Sequence, residues 1–133
     1  MQSIHVVAGA LVRGDQVLIA QRPPGKHMAG GWEFPGGKRQ ADEGSRAALV
    51  RELKEELGIE VQASEFVAEC VHDYSDRRVQ LELWRVTEFM GEPSACEGQP
   101  LRWVPLHQLS RADLLPADAP LVKALLKVCD GPQ

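Results

Sequence analysis

Glu52, Glu55 and Glu56 stand at i, i+3 and i+4, with Arg51 directly before them and Glu43 a short distance upstream. On a helix with about 3.6 residues per turn, three such carboxylates project from one face. Like charges at this spacing repel by roughly 0.2 to 0.5 kcal/mol per pair, and a bound cation removes that cost. Hard carboxylate oxygens one helical turn apart suit Mg²⁺, which prefers octahedral oxygen coordination and keeps several waters. An acidic cluster taken alone is more often a solvated helix face, so the residues around it decide its meaning.

The element that must hold the acids is a helix from about Ser45 to Leu57. Leu49, Val50, Leu53 and Leu57 form an apolar arc beside the acidic one, so one side can be buried while the other meets a ligand. Gly58 supplies the left-handed position that ends it. A glycine turn at Gly36 and Gly37 precedes the helix, and Trp32-Glu33-Phe34 before it reads as a short strand. Ile4 to Val12 and Val17 to Ala20 read as a β-hairpin around Arg13-Gly14-Asp15-Gln16, and Lys26 to Gly31 as a mobile loop. Glu65 to Val71, Val79 to Phe89 and Leu101 to Val104 are further strands. The second of these alternates in the way of a sheet with one face buried. Ala119 to Val128 closes the chain as a short helix packed on the sheet, with Pro120 in its first turn. Strands and helices mix without a regular βαβ repeat. The pattern therefore predicts an α+β fold, an α/β/α sandwich with a mixed β-sheet between helices.

A chain of 133 residues implies one domain, 1–133, able to bury an ordinary core. Hydrophobic residues at 44% and charged residues at 26% are globular values. The balance of 15 basic against 19 acidic residues, net −4, argues against stable nucleic-acid binding. It also means that an anionic ligand needs a metal or well-placed arginines to approach the acids. Cys70, Cys96 and Cys129 form an odd set without metal-ligand spacing, so they read as reduced thiols and a cytoplasmic location follows. No signal peptide and no apolar run of membrane-spanning length is present, so no membrane partner is expected. His5, His27, His72 and His107 lack metal spacing and read as structural or exposed, while Trp32, Trp84 and Trp103 read as core.

The wider spacing around the acids runs Gly37, five residues, Glu43, seven residues, Arg51-Glu52-Leu53, one residue, Glu55-Glu56, one residue, Gly58-Ile59. It matches the Nudix box at every defined position, and the chain resembles the Nudix hydrolases. GWEFPGGK at 31–38, HDYSDR at 72–77, EGQP at 97–100 and LPADAP at 115–120 extend the likeness to the MutT-like group over nearly the whole chain. The resemblance implies a mixed sheet between helices and metal-dependent cleavage of a nucleoside diphosphate linked to another group. It implies Mg²⁺, or Mn²⁺, held by Glu52, Glu55, Glu56 and the Gly37 carbonyl, with Glu97 as the distant acid that completes the site or acts on water. Glu52 is then the favoured general base and Glu97 its rival. Arg51 would pair with Glu43 and hold the box together. Arg22 would lie near the phosphates and Arg77 at the base, Ile4 and Val6 would line the base pocket, and the Phe34 backbone would contact the base.

One position departs from the MutT-like pattern. Asp118 stands where that group has asparagine, whose amide both donates and accepts. An ionised aspartate only accepts, so it must be protonated or meet donors such as the N4 amino group of cytosine. The expected function is a nucleoside triphosphate pyrophosphohydrolase acting on oxidised nucleotides such as 8-oxo-dGTP. The same chemistry on CTP, dCTP or 5-methyl-dCTP is the near alternative, and dinucleoside polyphosphates or nucleotide sugars a broader one. From another class, a nucleotide sensor without turnover is the alternative, although all the box acids are present. The expected assembly is a monomer or weak homodimer.

Overall fold

The computed structural model describes residues 2–25 and 28–129, so Lys26 and His27 of the expected loop lie outside the described residues. The strands are β1 (Gln2–Arg13), β2 (Gln16–Gln21), β3 (Trp32–Glu33), β4 (Gly36–Lys38), β5 (Glu60–Asp73), β6 (Arg77–Met90) and β7 (Leu101–Pro105). The helices are α1 (Ser45–Leu57) and α2 (Val122–Cys129). Single 3-10 turns span Leu106–Arg111 and Ala119–Leu121.

β1 is the central strand because its small and β-branched residues tolerate burial on both faces. It forms the expected hairpin with β2, Val12 opposite Val17 and Arg13 opposite Gln16. Along its other edge it pairs in parallel with β6, from Gln2 opposite Arg77 to Leu11 opposite Val86. β5 is antiparallel to β6 and lies at the sheet edge, while β3 and β7 pair with β2. The sheet is thus mixed.

The alternation of side chains sends Val7 and Leu11 of β1 to one face with Val86 of β6, where Leu49, Leu53 and Leu57 of α1 cover them. Ala8, Ala10, Leu81 and Leu83 point to the opposite face, which Val122 and Leu125 of α2 cover. The sandwich of helix, sheet and helix follows from these two clusters. β6 is buried on both faces at Leu81, Glu82 and Leu83, rather than on one as its alternation suggests, because a helix lies on either side of it. Trp32, Trp84 and Trp103 are only half-buried, each with an arginine over its ring: Arg102, Arg46 and Arg13 respectively. They form the rims of the two clusters instead of their centres.

The glycine pair is the other difference. Gly36 and Gly37 form a strand, not a turn, with Gly36 opposite Ala8 and Gly37 opposite Val7. Their need for glycine is space: a Cβ on Gly36 would lie 2.0 Å from the Val7 carbonyl oxygen, and one on Gly37 2.3 Å from a Glu52 carboxylate oxygen. Gly58, in contrast, is glycine for its dihedral, φ 71°, and its N–H bonds back to the Lys54 carbonyl to end α1 as expected.

These two reasons predict different costs. Gly36→Ala must displace backbone and is expected to lower stability by about 3 kcal/mol or more, the upper range for overpacking. Gly58→Ala adopts a left-handed conformation, at a cost of roughly 1 to 2 kcal/mol, and its Cβ, 3.2 Å from Cys96 Sγ, asks only an exposed side chain to shift. Denaturant midpoints of the two variants check this, and equal small shifts would refute the close-approach account of Gly36.

Candidate active site

The acids of α1 sit at graded depth. Glu55 is exposed, the Glu52 side chain is 18% exposed, and Glu56 is buried at 8%. The acidic arc is therefore not a uniform face offered to solvent: α1 lies against β4, and the turn that follows Glu55 drives Glu56 inward. There Glu56 accepts the Gly36 N–H at 3.2 Å. Burial, then the charges of Glu33, Glu97 and Glu52, push the Glu56 carboxyl up to about 8. Burial also raises Glu52, against the opposing pull of Arg51, with Glu55 and Glu97 adding to the rise. Glu97 itself is exposed, in the loop between β6 and β7. Its charge acts on both Glu52 and Glu56, so the structure brings this distant acid to the α1 cluster.

Arg51 ties the cluster to its surroundings. Its guanidinium donates to both Glu43 oxygens at 2.7 and 2.8 Å, to Glu52 at 3.0 Å, to Glu55 at 3.3 Å and to the Lys38 carbonyl at 3.1 Å. The hydrogen bonds from Arg51, with one from the Gln40 N–H, hold Glu43 down at about 2. Arg51 thus joins β4, the loop before α1 and α1 itself.

Next to β4 a cleft of about 680 Å³, measured to its open mouth, runs toward the turn before α2. Ile4 and Val6 form its floor with Val79 and Leu81, their partners in the parallel β1–β6 register. Arg22 and Arg77 line it, as does Gly37 at the end nearer the acids. Arg77 pairs with Asp76 at 3.1 Å, whereas its neighbour Arg78 is turned away to Asp73 at 2.7 Å. Asp118 is 4% exposed and accepts the Phe34 N–H at 3.0 Å. Burial and the charge of Glu33 raise its carboxyl well above the usual range, against the Phe34 hydrogen bond. The Phe34 side chain is core, and its amide is engaged by Asp118.

Sequence patterns did not single out two residues that the geometry does. Glu33, on β3, lines the cleft and accepts from Arg22 at 3.2 Å; burial raises its carboxyl, and its charge acts on both Glu56 and Asp118. Gln99 is 5% exposed, donates to the Glu56 carbonyl at 3.1 Å and accepts the Glu97 N–H at 3.0 Å. One buried amide therefore fastens the Glu97 loop to α1. GWEFPGGK and EGQP contain both residues, but only the fold shows where their side chains turn.

A different trio, His5, Glu69 and Glu82, brings its ligand-type atoms within 4.8 Å of one another, closer than the box acids are gathered. Its buried member Glu82 already accepts from Ser45 at 2.9 Å and Trp84 at 3.1 Å and pairs with His5 at 2.5 Å. That network joins β1 and β6 to the start of α1 and is satisfied as it stands.

A family model for the NUDIX domain matches residues 7–124. The chain belongs to the Nudix family. The CTP pyrophosphohydrolase of Escherichia coli is 44% identical over 126 residues, 95% of this chain and 93% of the relative. A protein named putative 8-oxo-dGTP diphosphatase 2 in Mycobacterium tuberculosis is also 44% identical, over 128 residues, with 95% and 90% covered. A structure of MutT, from work on Aliivibrio salmonicida and Vibrio cholerae, superposes with a TM-score of 0.79 at 35% identity, covering 95% of this chain and 98% of that one. The fold is that of a MutT-like Nudix hydrolase.

Nudix hydrolases generally use a divalent metal, and the donor set here fits one. Glu52, Glu55, Glu56 and Glu97 supply hard oxygens, and burial, with the charges of Glu33, Glu97 and Glu52 added, pushes the Glu56 carboxyl up to about 8, a cost that a bound cation would offset. In the unfolded chain Glu56 releases its proton near its ordinary value of 4.5. Between the two values the folded state binds more protons, so Glu56 makes stability fall as pH rises from about 4.5 to about 8. With a chelator present, the melting temperature is expected to drop from about pH 5 to about pH 8, and saturating Mg²⁺ to raise it more at the higher pH. Thermal unfolding at both pH values checks this; an Mg²⁺ effect of equal size at each would count against it.

Proposed function

We propose that this Nudix hydrolase is a Mg²⁺-dependent nucleoside triphosphate pyrophosphohydrolase that removes oxidised nucleotides, 8-oxo-dGTP first, releasing the monophosphate and pyrophosphate. The observation that carries the reading is Asp118, a buried carboxyl above an apolar floor that keeps its proton beyond the usual range. A protonated aspartate offers one donor and one acceptor, the same pair as the asparagine of the MutT-like pattern. It can therefore meet the mixed donor and acceptor edge of 8-oxoguanine. Ile4 and Val6 supply an apolar face for the base, and Arg77 a guanidinium at the same cleft.

Arg22 lines the cleft, held by Glu33, and its fork of donors suits phosphate oxygens. Glu52, Glu55, Glu56, Glu97 and the Gly37 carbonyl would hold Mg²⁺, or Mn²⁺ in its place. Bound there, the metal supplies positive charge to the phosphates and acidifies water. Water attacks the β-phosphorus in line, an oxygen–phosphorus bond forms, and the bridge to the α-phosphorus breaks. Glu52 accepts the proton: it is partly exposed, hydrogen-bonded to Arg51 and seated against Gly37, whereas Glu55 is open to solvent. Glu97 completes the metal site from its loop. We place the enzyme in the cytoplasm, where the thiols of Cys70, Cys96 and Cys129 would stay reduced.

The 44% identity to a CTP pyrophosphohydrolase favours a second reading, the same chemistry on cytidine nucleotides. An ionised Asp118 would accept from the cytosine N4 amino group, so the protonation state separates the two.

Two measurements test the proposal. In a panel of canonical and damaged nucleoside triphosphates at equal low concentration with Mg²⁺, 8-oxo-dGTP is expected among the highest kcat/KM values. Asp118→Asn should keep that activity while losing activity on cytidine nucleotides. Cytidine nucleotides leading the panel, with 8-oxo-dGTP slow, would overturn the leading reading. Separately, Glu52→Gln should lower turnover by more than about tenfold, a barrier rise above ~1.4 kcal/mol, and by more than Glu97→Gln does.

A further inference from the structure

Asp118 selects a base only if its carboxyl stands at a fixed place, yet it sits on an irregular segment between β7 and α2. Part of that segment is pinned to β3: the Leu115 N–H donates to the Trp32 carbonyl at 2.9 Å, and the Trp32 N–H to the Asp113 carbonyl at 3.0 Å. The residue directly before Asp118 is held from elsewhere. Tyr74 Oη accepts the Ala117 N–H at 3.1 Å, and Cys70 Sγ donates to the Ala117 carbonyl at 3.1 Å. Cys70 lies near the end of β5 and Tyr74 just beyond it, an even number of residues apart, so both side chains leave the same face. They grip Ala117 at its N–H and at its C=O.

We infer that Tyr74 and Cys70 are positioning residues for base selection, a clamp from the sheet edge that fixes the two peptides on either side of Ala117 and with them the Asp118 carboxyl. Tyr74 also links the two polar ends of base recognition. Its own N–H donates to the Arg77 carbonyl at 2.8 Å, which closes the turn that presents Arg77 to the same cleft. Without the Tyr74 hydroxyl, the Ala117 N–H loses a half-buried acceptor, and the peptide turns toward water to recover one. Asp118 turns with it. The Phe34 N–H meets only the carboxyl end of the side chain, and the backbone bonds of Asp118, from its N–H to the Leu115 carbonyl at 2.9 Å and to its C=O from the Leu121 N–H at 3.0 Å, lie within the same short turn and travel with it.

The inference rests on the reading of Asp118 as the base selector, and the test separates the two. Tyr74→Phe keeps the ring and removes the acceptor. Its expected effect is a rise in KM for the preferred nucleotide and a loss of about fivefold or more in selectivity over the other base, with kcat within about twofold, since the box acids are untouched. Combined with Asp118→Ala, Tyr74→Phe should change selectivity no further, because its effect passes through Asp118. Cys70→Ala should act in the same direction, and Cys70→Ser, which keeps a donor, should restore the wild-type ratio. An equal loss in the presence and absence of Asp118, or a fall in kcat for all nucleotides with selectivity unchanged, would overturn the clamp. Should Tyr74→Phe fail to fold by circular dichroism, the Cys70→Ala and Cys70→Ser pair in the Asp118→Ala background decides the matter. If the wild type prefers cytidine nucleotides, the substrate assignment falls while the same cycle, run on those nucleotides, still decides the clamp.

Discussion

Negative charge crowded into a half-buried space is the constraint on which this structure depends. Glu52, Glu55 and Glu56 occupy the C-terminal half of α1, the end where the helix dipole also disfavours anions, and Glu97 is brought up beside them. Glu56 bears the greatest cost of the three because it is the most deeply buried, its carboxylate turned in to the Gly36 N–H, while that of Glu52 lies against Gly37. Arg51 compensates only in part, since its donors are shared among Glu43, Glu52, Glu55 and a backbone carbonyl. The remaining charge calls for a cation, and a cation with open coordination is what draws a polyphosphate toward a protein of net charge −4.

The acids do not stop at the metal end. Glu33 stands between Glu56 and Asp118 and influences both, with Arg22 bonded to it. Neutralising the cluster at α1 therefore also relieves Glu33, so the phosphate and base ends of the cleft share one electrostatic environment. The cleft floor is neutral and apolar because two parallel strands place alternate residues there, Ile4 and Val6 from one and Val79 and Leu81 from the other.

Much of this was legible beforehand. The bounds of α1 agreed with its apolar period and with Gly58, and the β1–β2 hairpin with its turn residues, because both are governed by local preference. The spacing of Arg51 and the three acids placed them together on α1, with Glu43 within reach of Arg51, for the same reason: a helix converts spacing into geometry. Gly36 and Gly37 misled, since glycine demanded by a close approach looks the same in sequence as glycine demanded by a turn. β6 misled as well, for alternation cannot tell how many helices cover a strand.

The sequence by itself determined the acidic helix, its end, the β1–β2 hairpin and the family, because these rest on contacts between residues near in the chain or on a fixed motif. Tertiary structure alone decided the depth of Glu56 and of Asp118, and the contacts of Glu33, Gln99, Cys70 and Tyr74. Each depends on partners tens of residues away, as in the grip of Tyr74 on Ala117 or of Gln99 on the Glu56 carbonyl. A carboxyl's charge state is set by the solvent it has lost and the charges packed around it, and neither quantity exists until the chain has folded.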